Sequence, residues 1–105
     1  IKDEETFEHH LRDIPFDATE SSHLLFLIQE SKLFLQKYPN SKYAASTQSY
    51  IITLYSRLRD FKSALKEAEI FLKKYPTSQI VNNIKEEYEL LKKSVKEGNN
   101  AEKTP

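Results

Sequence analysis

The sequence predicts an all-α fold of antiparallel helix hairpins, and three observations carry that prediction. Apolar residues recur at a spacing of about 3.6 over most of the chain, the period of a helix face. The chain has 105 residues but a single glycine, Gly98. A hairpin-rich β fold would need more, because its tight turns call for glycine. Third, Glu30–Ser41 reads ESKLFLQKYPNS, and Glu67–Ser78 reads EAEIFLKKYPTS, an offset of 37. Glu, Phe, Leu, Lys, Tyr, Pro and Ser coincide between the two. A period of about 20–50 residues marks a repeat architecture. Each unit is then a helix hairpin that buries its apolar stripe only against a neighbour.

The elements follow in order. A short helix over residues 2–14 rests on Phe7, Leu11 and Ile14. Pro15, Pro39 and Pro76 punctuate the chain. Asp17 caps the next helix, with Glu20 completing a capping box, and the helix runs from Ala18 to Tyr38. Its core face is Leu24, Leu27, Ile28, Phe34, Leu35 and Tyr38. Ser41 caps a helix from Lys42 to Leu58, with Tyr43, Thr47, Ile51, Leu54, Tyr55 and Leu58 inward. Asp60 caps a third, carrying Ala64, Leu65, Ala68, Phe71, Leu72 and Tyr75. Ser78 caps a fourth, carrying Ile80, Val81, Ile84, Tyr88, Leu91 and Val95. Short connections force successive helices antiparallel. The division is an N-terminal segment over 1–17, a repeat domain over 18–97 and a flexible tail over 98–105. Gly98 is placed to end the last helix.

Composition excludes several function classes. Sixteen basic residues balance sixteen acidic ones, which leaves no electrostatic footprint for nucleic acid. No cysteine means no disulfide, thiolate metal site or cysteine nucleophile. One glycine allows no glycine-rich phosphate loop. The longest apolar run, Leu24–Ile28, is far short of the roughly 20 residues of a membrane span, so this segment does not insert directly. The chain starts at Ile1, which points to a fragment or a processed form. His9 and His10 are adjacent and share no helix face. His9 and Asp13 could meet, but a tight zinc site wants three or four ligands. Glu86 and Glu87 lie among lysines on a solvated face, without the cleft that acid–base catalysis requires. Lys73-Lys74 and Lys92-Lys93 are too small to track phosphates. No cofactor is implied, and the expectation is a protein without catalytic activity.

The helix hairpin with a Pro ending its second helix resembles a tetratricopeptide repeat. In Ala45–Pro76, Tyr55, Ala64 and Pro76 stand where that motif has its Tyr, second-helix Ala and terminal Pro. Leu58-Arg59-Asp60-Phe61 stands where the family often has Leu-Gly-Asp-Tyr. The resemblance covers residues 20–97 and implies a short right-handed superhelix. The ending Phe-Leu-x-Lys-Tyr-Pro-x-Ser, present twice, is similar to one subset of the family. That subset includes the outer-membrane assembly lipoproteins and Tol-Pal coordination factors of bacterial envelopes. It implies a place on the periplasmic side of a cell envelope, with the cytoplasm as the other compartment. Four positions depart from the motif. Gln48 replaces its first aromatic, Ile52 its small packing residue and Arg59 its turn Gly. Ala68 and Phe71 reverse the usual large–small order.

Two surfaces stand out as partner sites. Leu25, Phe26 and Leu33 lie outside the core face of their helix. Phe7, Leu11, Ile14 or Phe16 of the N-terminal segment, a partner chain, a segment preceding this fragment or a second copy would cover them. By the resemblance, the concave face carries Ser46, Ser49, Tyr50, Thr53, Ser56 and Arg57. A carboxylate-gripping version of the fold needs a Lys and an Asn where Ser49 and Thr53 stand. The fourth helix reads as a polar cap, because Glu89 and Lys92 occupy the places of Ile52 and Tyr55. The expected function is protein–protein interaction, holding another protein or peptide as a scaffold in an envelope assembly. Self-association and service as a helical appendage of a larger enzyme are the alternatives.

Overall fold

The computed structural model describes residues 21–97, and four helices fill most of that span. They are α1 (Ser21–Lys37), α2 (Ala44–Arg57), α3 (Phe61–Lys74) and α4 (Val81–Lys96). No strand occurs among the described residues. Connections over 38–43, 58–60 and 75–80 are short and turn the chain back on itself. Each helix packs on its neighbour in sequence: α1 on α2, α2 on α3, α3 on α4. None of the four is long and apolar enough to cross a membrane. The short helix expected over 2–14, the Asp17 and Glu20 capping box and the 98–105 tail lie outside the described residues.

The repeat seen in the sequence is also a repeat of bonds. The amide of Tyr38 donates to the Phe34 carbonyl and that of Tyr75 to the Phe71 carbonyl, both at 2.8 Å. These close the last turns of α1 and α3. Pro39 and Pro76 follow, and the residue before a proline is pushed out of helical geometry. Tyr75 accordingly has φ −127° and ψ 51°. The Ser41 and Ser78 amides then bond the Tyr38 and Tyr75 carbonyls, each at 3.1 Å. The ring pairs match as well. Phe34 and Tyr38 lie 5.4 Å apart and Phe71 and Tyr75 5.3 Å, both tilted.

The two serines act differently from the caps expected of them. The Ser41 hydroxyl accepts from the Tyr43 amide at 2.9 Å, and the Ser78 hydroxyl from the Ile80 amide at 3.2 Å. Each therefore closes a serine turn two residues long. Its carbonyl takes the first helical amide, Ala44 or Val81. So α2 and α4 start at Ala44 and Val81 rather than at the residues next to the serines. Asp60 caps α3 as expected. Its carboxylate accepts from the Ser63 amide at 3.2 Å and from the Ser63 hydroxyl at 2.8 Å.

The turn between α2 and α3 is a Schellman motif. The Asp60 amide donates to the Tyr55 carbonyl at 3.0 Å, and the Arg59 amide to the Ser56 carbonyl at 2.9 Å. The motif needs a left-handed residue after the cap, and Arg59 supplies it at φ 62°. That position favours glycine, so the arginine β-carbon costs about 1 kcal/mol. The guanidinium lies over the Phe61 ring, 5.6 Å from its centroid, and recovers part of that cost.

Two apolar clusters stand out among the described residues, and Phe34, Ala44 and Ile51 are buried besides. One holds Leu24, Leu27, Ile28 and Leu54, between α1 and α2. The other holds Ile52, Ala64, Ala68, Phe71, Ile84 and Leu91, across α2, α3 and α4. Ile52 is fully buried because the residues packed with it, Ala64 and Ala68, are small. Large and small residues have exchanged sides, and the volume is kept. Tyr55 packs on both clusters. Leu35 and Tyr38, placed on the core face of α1, are half-buried. Ser31, which the repeat aligns with Ala68, is fully buried instead. Its hydroxyl has no hydrogen-bond partner among the described residues.

Two substitutions test this account. Arg59→Gly is expected to raise stability by about 0.5–1 kcal/mol, and Arg59→Val to lower it by about 1–2 kcal/mol, in urea denaturation. Equal midpoints for all three chains would mean that the turn holds no strain. Ser31→Ala removes an unpaired buried hydroxyl and should stabilise by about 1 kcal/mol. A loss of stability there would reveal a partner for the hydroxyl.

Candidate interaction surfaces

Leu25, Phe26 and Leu33 are exposed on the outer side of α1, at 50%, 44% and 42%. The cause is helical register. The inward face is taken by Leu24, Leu27, Ile28, Ser31 and Phe34, and the three apolar residues fall away from it. In the second copy of the repeat Lys62 and Ser63 take the places of Leu25 and Phe26 in α3, while Ile70 keeps an apolar side chain at the place of Leu33. A fourth large apolar residue, Leu90 on α4, is 67% exposed. It lines an open groove with Leu65 and Val95, rimmed by Glu86 and Lys93. In the sequence the charges around Leu90 mark α4 as polar and conceal it.

The α2 residues divide. Thr53 and Arg57 are exposed, and Ser46, Ser49, Tyr50 and Ser56 are half-buried. The Ser46 hydroxyl donates to the Tyr43 carbonyl at 3.0 Å, and the Thr53 hydroxyl to the Ser49 carbonyl at 3.3 Å. Both groups are thus turned back onto their own helix. Tyr50 packs against the α1–α2 cluster and so serves the core with one edge. The Ser56 hydroxyl is buried without a hydrogen-bond partner among the described residues.

A polar cluster that sequence reasoning missed joins three helices. Gln48 on α2 donates from Nε2 to the Glu67 carboxylate at 2.7 Å and to the Glu67 carbonyl at 3.1 Å. Glu67, on α3, is only 9% exposed. Lys32 of α1 forms an ion pair with it at 3.6 Å. The same ammonium donates to the Tyr55 hydroxyl at 3.0 Å. A signal for the cluster was present. Glu67 lies three residues after Ala64 and four before Phe71, on the buried register of α3, so its carboxylate had to find partners inside. Gln48, where an aromatic was expected, is one of those partners. Among the described residues no three His, Cys, Asp or Glu side chains converge as a metal site would require.

No protein-family model, curated protein or solved structure matches this chain.

The cluster has a pH signature. The hydrogen bond to Tyr55 holds the Lys32 pKa above its ordinary 10.5, helped by the Glu67 charge and opposed by partial burial. A raised pKa in the folded chain gives stability that is complete below the unfolded value. That stability is lost as pH rises through the folded value. Burial also lifts Tyr75 above its ordinary 10.0, with the same sign. Stability should therefore fall above about pH 10 to 10.5. In Lys32→Met, which keeps the aliphatic stem, the fall should be shallower. Parallel urea-midpoint curves for the two chains against pH would remove Lys32 from the account.

Proposed function

We propose that the chain is a non-catalytic protein-interaction module. Its four helices are read as part of a tetratricopeptide-like right-handed superhelix, with α4 as its end, polar apart from Leu90. The observation that carries this reading is the doubled unit, in which a 37-residue offset in sequence (Glu30 to Glu67) repeats turn bonds and ring pairs. Stacked hairpins of this kind build extended surfaces rather than enclosed catalytic clefts. The exposed apolar side chains of α1 support it, because an exposed apolar patch on a small domain marks a contact site. The residues Glu89 and Lys92 support the polar end. They pair with each other at 3.4 Å in solvent. Placement in a bacterial envelope assembly rests on the twice-occurring Phe-Leu-x-Lys-Tyr-Pro-x-Ser ending.

The reading predicts loss of a partner from defined surface variants. Bait chains carrying Phe26→Asp with Leu33→Asp, or Thr53→Arg with Arg57→Glu, are compared with the parent on bacterial envelope extract. All four positions are exposed, so the helical circular dichroism should be kept. At least one bait should lose about tenfold of one captured protein, the scale of a single hot spot. An identical captured set from all three baits would sink the reading.

A further inference from the structure

We propose that the outer face of α1 takes the outer face of α4 of a second copy, joining chains head to tail. This rests on the reading of the α1 face as an interaction surface and names its occupant.

Four large apolar side chains are exposed among the described residues: Leu25, Phe26 and Leu33 on α1, and Leu90 on α4. The two sites lie on the first and last of the four described helices. Each sits in a line of charges. On α1, Glu30, Leu33 and Lys37 follow one another at steps of three and four, and so share one face. On α4, Glu86, Leu90 and Lys93 follow at steps of four and three. Set antiparallel, the two lines coincide. Lys37 meets Glu86, Leu33 meets Leu90, and Glu30 meets Lys93. The charge pairs are about 10.5 Å apart on both helices, seven residues at 1.5 Å each. Both ends of the contact thus join opposite charges, with a leucine pair between them. None of the four charged groups has an ion-pair partner among the described residues. Phe26 falls one turn beyond Lys93, where lysine stems offer aliphatic surface.

Pairing α1 with α1 of another copy fits less well. It also matches Glu30 with Lys37, but sets the two Leu33 residues one step out of register. It leaves Leu90 bare. The head-to-tail arrangement covers both apolar sites with one contact. Such a contact is heterologous and does not close on itself unless the rotation forms a ring. A single helix pair buries less than the roughly 800 Å² per partner of a standard interface. The association is therefore weak and concentration-driven.

Sedimentation equilibrium over a concentration series tests the proposal on the 105-residue chain. The average mass of the parent chain should rise with concentration and pass the dimer without a plateau. Leu33→Asp and Leu90→Asp, both at exposed positions, should each sediment as monomers. Mixed in equal amounts they should form a dimer and nothing larger, because each retains one intact face. Glu30→Lys with Lys37→Glu should lose association, and adding Glu86→Lys with Lys93→Glu in the same chain should restore it. A parent chain that stays monomeric throughout overturns the proposal, as does a mixture that fails to dimerise. A Leu90→Asp chain that still dimerises overturns it in favour of α1 on α1. If association fails while envelope capture still depends on Phe26 and Leu33, this proposal falls and the interaction module stands.

Discussion

Tyr55 packs its ring against both apolar clusters and receives a hydrogen bond from Lys32 at its hydroxyl. One cluster lies between α1 and α2, the other across α2, α3 and α4. A shared ring makes the burial of one depend on the placement of the other. The hydroxyl lies at the exposed end of the ring, where the Lys32 ammonium of α1 donates to it, and the same ammonium also faces Glu67 on α3. The polar cluster and the two apolar ones are therefore one constraint. It sets where α1 lies relative to α3, the two helices that carry the repeated segment.

The sequence made most of this architecture legible, for identifiable reasons. Helix faces follow from spacing: of the six residues assigned to the core face of α3, Ala64, Ala68 and Phe71 are fully buried, and Leu65, Leu72 and Tyr75 are half-buried. The Asp60 cap could be read because aspartate followed by an apolar-periodic run has one common use. The serine turns were harder. Ser41 and Ser78 are good cap residues by type, but a hydroxyl can reach the amide two residues on as readily as the third. Residue type does not choose between them, and the helix starts moved accordingly. At Arg59 the turn has to tolerate a β-carbon, and its φ of 62° is the physical form of that tolerance.

The surfaces were legible only in part. The outward position of Leu25, Phe26 and Leu33 follows from the helical period, since a residue off the inward stripe has nowhere else to go. Leu90 obeys the same rule, but the charges around it in α4 hid one leucine among many polar neighbours. The Gln48–Glu67 pair was missed for a different reason. Its meaning lies in the facing of two helices, which a reading along one helix at a time does not contain. Exposed apolar positions could thus be found one by one, while the polar link between helices required their packing.

One consequence concerns how the stack comes apart. Helices meet chiefly their neighbours in sequence, so contacts are local and the chain should assemble fast. Lys32 and Glu67 form a bond that skips a helix. Pulled from its C-terminal end, the chain can shed α4 with that bond intact. Drawn off the other side, α1 leaves only when that bond breaks. The two sides of the described stack are thereby unequal, one joined to its neighbour alone and the other tied across to a third helix as well.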